Sequence, residues 1–184
     1  MSDDPGSAVP SSEGTGHEIV IERLDARAFA PFGDVIELGD APDVLINRGL
    51  CGRHHDLAKL DFIDEGRAGI SLFDATPYPL PHVLDLVERH PLGSQAFLPM
   101  SIDPFLVIVA EDDDGRPVRP RAWLSNGRQG INYHRGTWHG VLTPLSRPAL
   151  FAVVDRIGDG DNLHEAVLDP PFRILDRHGL ITGA

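Results

Sequence analysis

Apolar residues along this chain come in short runs, many alternating with polar ones and each soon broken by glycine, proline or a charged cluster. The segments "HEIVIERL" from His17, "DVIEL" from Asp34, "AGISLFDA" from Ala68, "RAWLSN" from Arg121, "GVLTP" from Gly140 and "LFAVVDR" from Leu150 have the length and rhythm of strands. "FLVIVA" from Phe105 is apolar on both faces, as a strand buried on both sides requires. "RHHDLAKLDFI" from Arg53 also reads as a strand, and "LDARAFAPFG" as one helical turn stopped by Pro31 and Gly33. The run "EDDDGRPVRP" from Glu111 is expected to be a solvated turn. The tail from Gly158, "GDGDNLHEAVLDPPFRILD", ends in one more strand.

About ten short strands at roughly 8- to 15-residue spacing predict an all-β sandwich or barrel with minor helix. "VLDLVERHPLG" fits either a helical stripe or a strand, and the strand is the preferred reading. Side chains alternate along a strand, so Glu88 and His90 would then point together into whatever the sheet encloses. Residues 17–184 read as one domain, and the Gly-, Ser- and Asp-rich residues 1–16 as a disordered lead-in without a signal peptide's basic and apolar regions.

Composition narrows the partners. A net charge of −12 opposes phosphate backbones and anionic headgroups, so neither nucleic acid nor membrane is expected. No run approaches the roughly 20 apolar residues that span a bilayer. The single cysteine, Cys51, rules out an internal disulfide, suits a reducing cytoplasm and is expected to be a small buried apolar group. A small anionic substrate would need a local basic pocket against that acidic field.

Three clusters carry chemistry. In "ERHPLGSQAF", a turn at Pro91–Gly93 would return Gln95 to Glu88 and His90; carboxylate, imidazole and amide oxygen can hold a divalent metal or anchor a polar ligand. The plainer reading makes Glu88 a surface charge and His90 a turn cap. In "NYHRGTWHG", Gly136 permits a tight turn that brings Tyr133 or His134 near His139, a metal ligand or proton shuttle, while Trp138 packs. In "INRGLCGRHHDLAKL", Asn47 and the guanidinium groups of Arg48 and Arg53 suit a carboxylate, against the alternative of a solvated loop. Glycine-rich phosphate loops, paired CxxC, HExxH and GxSxG are all missing, which leaves phosphoryl transfer, structural zinc and α/β-hydrolase chemistry without support.

Taken in order, the blocks "FAPFGDVIE", "INRGLCGRHHDLA", "ISLFDATPYPLP", "VERHPLGSQAFLPM", "FLVIVA", "SNGRQGINYHRGTWHGVLTPL" and "VDRIGDGDN" resemble the ureidoglycolate lyase family, formerly called ureidoglycolate hydrolase. The resemblance covers roughly residues 18 to 165 and implies a cupin-like β-barrel, a double-stranded β-helix. Against the cupin pattern, Glu88 and His90 fall at the paired-histidine positions and Gln95 at the glutamate position, with Ile102 where a glycine is usual. Gly136 and His139 match the second motif, and His134 replaces its usual proline. The implied metal set is Glu88, His90, Gln95 and His139, with nickel the ion the resemblance suggests. The implied reaction cleaves ureidoglycolate to glyoxylate and urea in allantoin and purine nitrogen breakdown. His139 would be the base and Tyr133 the group that orients or protonates; Arg53 or Arg135 would clamp the carboxylate, with Ser71 and Asn47 as further contacts. A homodimer is expected, since barrels of this kind pair through exposed sheet edges. The competing reading is a non-catalytic cupin module that binds a small carboxylic acid.

Overall fold

A computed structural model describes residues 17–181, so the lead-in expected over residues 1–16 lies outside the described residues. The chain opens with strands β1 (Glu18–Val20) and β2 (Glu22–Arg23). The Asp25 carboxylate then accepts from the Ala28 N–H at 2.8 Å and so caps the one-turn helix α1 (Ala26–Phe29). Strand β3 (Gly33–Ile36) follows, then a separate hairpin of β4 (Val44–Ile46) and β5 (Cys51–Arg53). The long strands are β6 (Arg67–Ala75), β7 (His82–Arg89), β8 (Gln95–Pro99), β9 (Phe105–Asp113) and β10 (Arg116–Leu124). After β11 (Gly130–Tyr133), β12 (Trp138–His139) and β13 (Thr143–Pro144) come β14 (Ala149–Ile157) and β15 (His164–Leu175).

Two sheets form a cupin-like barrel. The larger runs β1-β15-β7-β12-β9-β10-β2, with β13 added on β9; the smaller runs β3-β11-β8-β14-β6. Phe29, Phe97, Phe105, Val107, Val109, Trp123, Tyr133, Phe151 and Val153 fill the interior between them. A second core covers the outer face of the larger sheet, where Leu106, Ile108 and Ala110 meet Ile19, Leu84, Trp138 and Ile174. Strand β9 therefore has apolar neighbours on both sides, as its unbroken apolar run predicts.

Two expectations are corrected. The acidic run is the end of β9 and a two-residue hairpin turn, in which Asp114 and Gly115 both have positive φ, 51° and 81°. Strand structure in "RHHDLAKLDFI" stops at Arg53, and the rest is a loop with one bridge, Phe62 to Gly93. That loop is tied down across the chain. The Asn132 amide donates to the Lys59 carbonyl at 3.1 Å, the Lys59 N–H to Asp34 at 3.1 Å, and the Asp61 N–H to Ser94 Oγ at 2.9 Å. These polar groups are satisfied without a sheet partner. "VLDLVERHPLG", in contrast, is the strand expected of it through Arg89.

Candidate active site

Pairing in the larger sheet sets Glu88 of β7 directly opposite His139 of β12, and His90 follows just past the end of β7. Gly136, at φ 80°, makes the turn between β11 and β12, and its N–H donates to the His90 carbonyl at 2.9 Å. That bond fixes the "NYHRGTWHG" turn against the "ERH" segment. In the smaller sheet Tyr133 lies opposite Gln95. Alternation along β12 sends Trp138 to the outer core and His139 inward. Trp138 is packing, as expected, with Arg89 over its ring at 4.4 Å.

The histidines are oriented by backbone carbonyls. His90 Nδ1 lies 2.7 Å from the Asn162 carbonyl and His139 Nδ1 lies 3.0 Å from the Gly140 carbonyl. A carbonyl oxygen only accepts, so each Nδ1 carries a proton and a neutral ring at either position has its lone pair on Nε2. Both Nε2 atoms are buried and lack a hydrogen-bond partner among the described residues, as does Gln95 Oε1. Ligating atoms of Glu88, His90 and His139 all lie within 4.8 Å of one another. Buried lone pairs left unsatisfied beside a carboxylate, on imidazoles held from behind by carbonyls, fit a divalent first-row metal ion.

Burial sets the electrostatics. It pulls His139 down to about 3, with the Gly140 carbonyl opposing and His90 adding, so the imidazole is neutral at neutral pH. A neutral imidazole has a lone pair to offer to a metal ion. Burial raises the Glu88 carboxyl; His90 opposes that shift and Glu165 adds to it. Burial, with the Glu88 charge, also raises Tyr133, which stays a protonated hydrogen-bond donor.

Of the cluster, His90 and Gln95 line a cavity of about 320 Å³, together with Ser94, Asp155, Arg156 and Asn162. The residues expected to bind the carboxylate are placed elsewhere. Arg53 and Asn47 sit exposed on the β4–β5 hairpin, outside the cavity lining, because those short strands pair only with each other. Arg135 is used in the rim, donating to Asp61 at 2.9 Å and to the Pro91 carbonyl at 3.4 Å. His134 lies 3.3 Å from Asp34. Ser71 is half-buried on β6, opposite the core residue Val153. Cys51, expected to be buried, is exposed. Sequence reasoning passed over Asp155, Arg156 and Asn162, although all three stand in the "VDRIGDGDN" block.

Fold and cluster together define a cupin-like barrel with a group of side chains that could hold a metal, one of which, His90, lines a small cavity. A family model described as ureidoglycolate lyase matches residues 16–175, and the chain belongs to that family. It is 65% identical over 156 residues to the ureidoglycolate lyase of Rhodobacter capsulatus, covering 85% of this chain and 97% of that one. It is 50% identical over 158 residues to that of Chelativorans sp., covering 85% and 96%. The corresponding protein of Agrobacterium fabrum is 48% identical over 157 residues, covering 85% and 95%.

Proposed function

We propose that the protein is a carbon–nitrogen lyase that cleaves ureidoglycolate to glyoxylate and urea in allantoin and purine nitrogen breakdown. The observation that carries this reading is the convergence of Glu88, His90, Gln95, Tyr133 and His139, from both sheets, at one end of the barrel interior. A non-catalytic carboxylate-binding module has no use for two buried imidazole lone pairs beside a carboxyl group of raised pKa.

The substrate is a carbinol-urea. When its hydroxyl loses a proton, the oxygen's electron pair forms the glyoxylate carbonyl and the C–N pair leaves on the urea nitrogen, which takes up a proton. Glu88 is the acceptor of the hydroxyl proton, through the carboxylate oxygen that would not ligate the ion, and returns the proton to the departing nitrogen. Tyr133 donates a hydrogen bond that orients the substrate oxygen. His90 and His139, with Glu88 and Gln95, would hold a divalent ion, for which nickel is our proposal, and that ion would supply a Lewis acid beside the reacting oxygen.

The test is to incubate the purified protein with ureidoglycolate and assay glyoxylate before and after chelation. Release that chelation abolishes and a divalent ion restores is expected. No release under any metal condition would leave the binding-module reading in its place.

We also propose a cytoplasmic homodimer. Among the described residues, no helix is long and apolar enough to cross a membrane. Pairing is supported by Leu45 and Leu50 on the hairpin, 61% and 89% exposed, and by Ile70 and Leu72 on edge strand β6, 81% and 64% exposed. A monomer by light scattering at micromolar concentration contradicts the pairing.

A further inference from the structure

The carboxylate of a small acid needs a cation, and the arginines expected to supply it do not line the cavity. Arg156 does, and it is only 7% exposed. It sits next to the end of β14 at Ile157, and Asp155, its neighbour on the strand, also lines the cavity. Its Nε donates to the Ile63 carbonyl at 2.9 Å and its Nη2 to the Asp64 carbonyl at 2.8 Å. The loop that presents those carbonyls holds Asp64 and Glu65 at positive φ, 52° and 58°, a conformation side chains rarely adopt.

Three glycines make room for this side chain. A Cβ on Gly66 would lie 2.2 Å from Arg156 Nε, one on Gly93 would lie 2.6 Å from Arg156 Cβ, and one on Gly158 would lie 3.0 Å from Nη2. These glycines come from three separate loops, so the arginine's seat is assembled by the fold. Two neutral carbonyls fix one side of the guanidinium. Its Nη1 is buried without a hydrogen-bond partner, and no carboxylate among the described residues forms an ion pair with it. A buried cation with a free donor and no counter-ion is unfavourable until an anion arrives.

We propose that Arg156 is the residue that binds the substrate's carboxylate, seating the anion through Nη1 at the end of the cavity shared with His90 and Gln95. The inference rests on the ureidoglycolate lyase reading and adds to it the determinant of anion specificity. Asp155 marks the other polarity of the cavity. Its Oδ1 is also buried without a partner, which suits the N–H groups of a urea and repels a carboxylate. A molecule with an anionic end and a urea end is thereby held in one direction.

The test compares ureidoglycolate with N-(hydroxymethyl)urea, the same carbinol-urea without the carboxylate, which breaks down to formaldehyde and urea. The readout is kcat/KM, with N-(hydroxymethyl)urea also measured as a competitive inhibitor. In Arg156→Lys, ureidoglycolate is expected to lose about 10- to 100-fold in kcat/KM, chiefly through KM, while N-(hydroxymethyl)urea is unchanged. Gly158→Ala keeps the arginine and crowds its guanidinium, and a smaller fall in the same ratio is expected. Equal losses for both compounds would assign Arg156 a structural role and overturn the proposal. So would an unchanged ratio in both variants, or in Gly158→Ala alone where Arg156→Lys does not fold. A wild-type protein that turns over neither compound removes the lyase reading itself, a result distinct from any of these.

Discussion

The ring of Tyr133 lies flat on the imidazole of His139, with centroids 4.3 Å apart and planes 4° from parallel. Tyr133 belongs to the smaller sheet and His139 to the larger, so the stack joins the two sheets at the Glu88–His90–His139 group. Phe29 and Phe97 pack around the same ring, each with its centroid 6.0 Å away. The tyrosine therefore has two separable roles, as a packing disc and as a hydroxyl.

Tyr133→Phe keeps the disc and removes the hydroxyl. Stability is expected to change by less than about 1.5 kcal/mol, while turnover falls by about 10-fold or more. Tyr133→Ala also removes the disc and is expected to lose about 3–5 kcal/mol in denaturant titration. Full activity in the phenylalanine variant would leave the hydroxyl without a part in the reaction.

The buried Nε2 atoms of His90 and His139 predict where metal is held. His90→Gln and His139→Gln are each expected to lower the bound divalent ion per protomer by at least about 10-fold, measured by elemental analysis. Metal content equal to wild type in both variants would place the ion elsewhere.

Burial of His139 predicts an acid sensitivity of definite sign. The folded imidazole stays neutral down to about pH 3, whereas an unfolded one takes up a proton near pH 6.5. Between those values the unfolded chain binds more protons, so this residue's effect is that stability falls as pH drops below 6.5. The loss from this group is roughly 1–2 kcal/mol by pH 5. His82, also lowered by burial, acts in the same direction. Glu88 acts in the opposite one, since its raised carboxyl favours the folded state at low pH and loses that contribution as pH rises through its folded value. Denaturant titrations at pH 7.5 and 5 should show a shallower acid loss in His139→Asn than in wild type; identical slopes would mean that His139 is solvated.

Gly33 pairs with Tyr133 across β3 and β11, and a Cβ there would lie 2.1 Å from the Asn132 carbonyl oxygen and 2.8 Å from the Phe29 ring. Gly33→Ala is expected to cost about 1–3 kcal/mol or more and to lower activity by displacing Tyr133. A thermal melt and a turnover assay on the one variant check both, and an unchanged melt would contradict so close an approach.

How much of this was legible in the sequence depended on whether neighbours along the chain decide the outcome. Strand β9 could be read because its six-residue apolar run needs partners on both faces, and it has them. The Glu88–His90 pair followed from alternation in one strand, and the Gly136 turn from a glycine between two aromatic-rich triplets. The loop after Arg53 was misread because its alternation imitates a strand, while its polar atoms are satisfied by Asp34, Ser94 and Asn132, residues far along the chain. Arg156 gave no local signal at all. In the sequence it is one arginine after an aspartate, and its burial is decided by Gly66, Gly93 and two carbonyls that only the closed barrel brings to it.

The most direct measurement is the product balance of purified protein on ureidoglycolate, wild type beside Glu88→Gln. Glyoxylate and urea should appear in equal amounts without ammonia, and the glutamine variant, which cannot take the hydroxyl proton, should lose most of that release. Ammonia in place of urea, or undiminished glyoxylate from Glu88→Gln, would contradict C–N cleavage driven from this cluster.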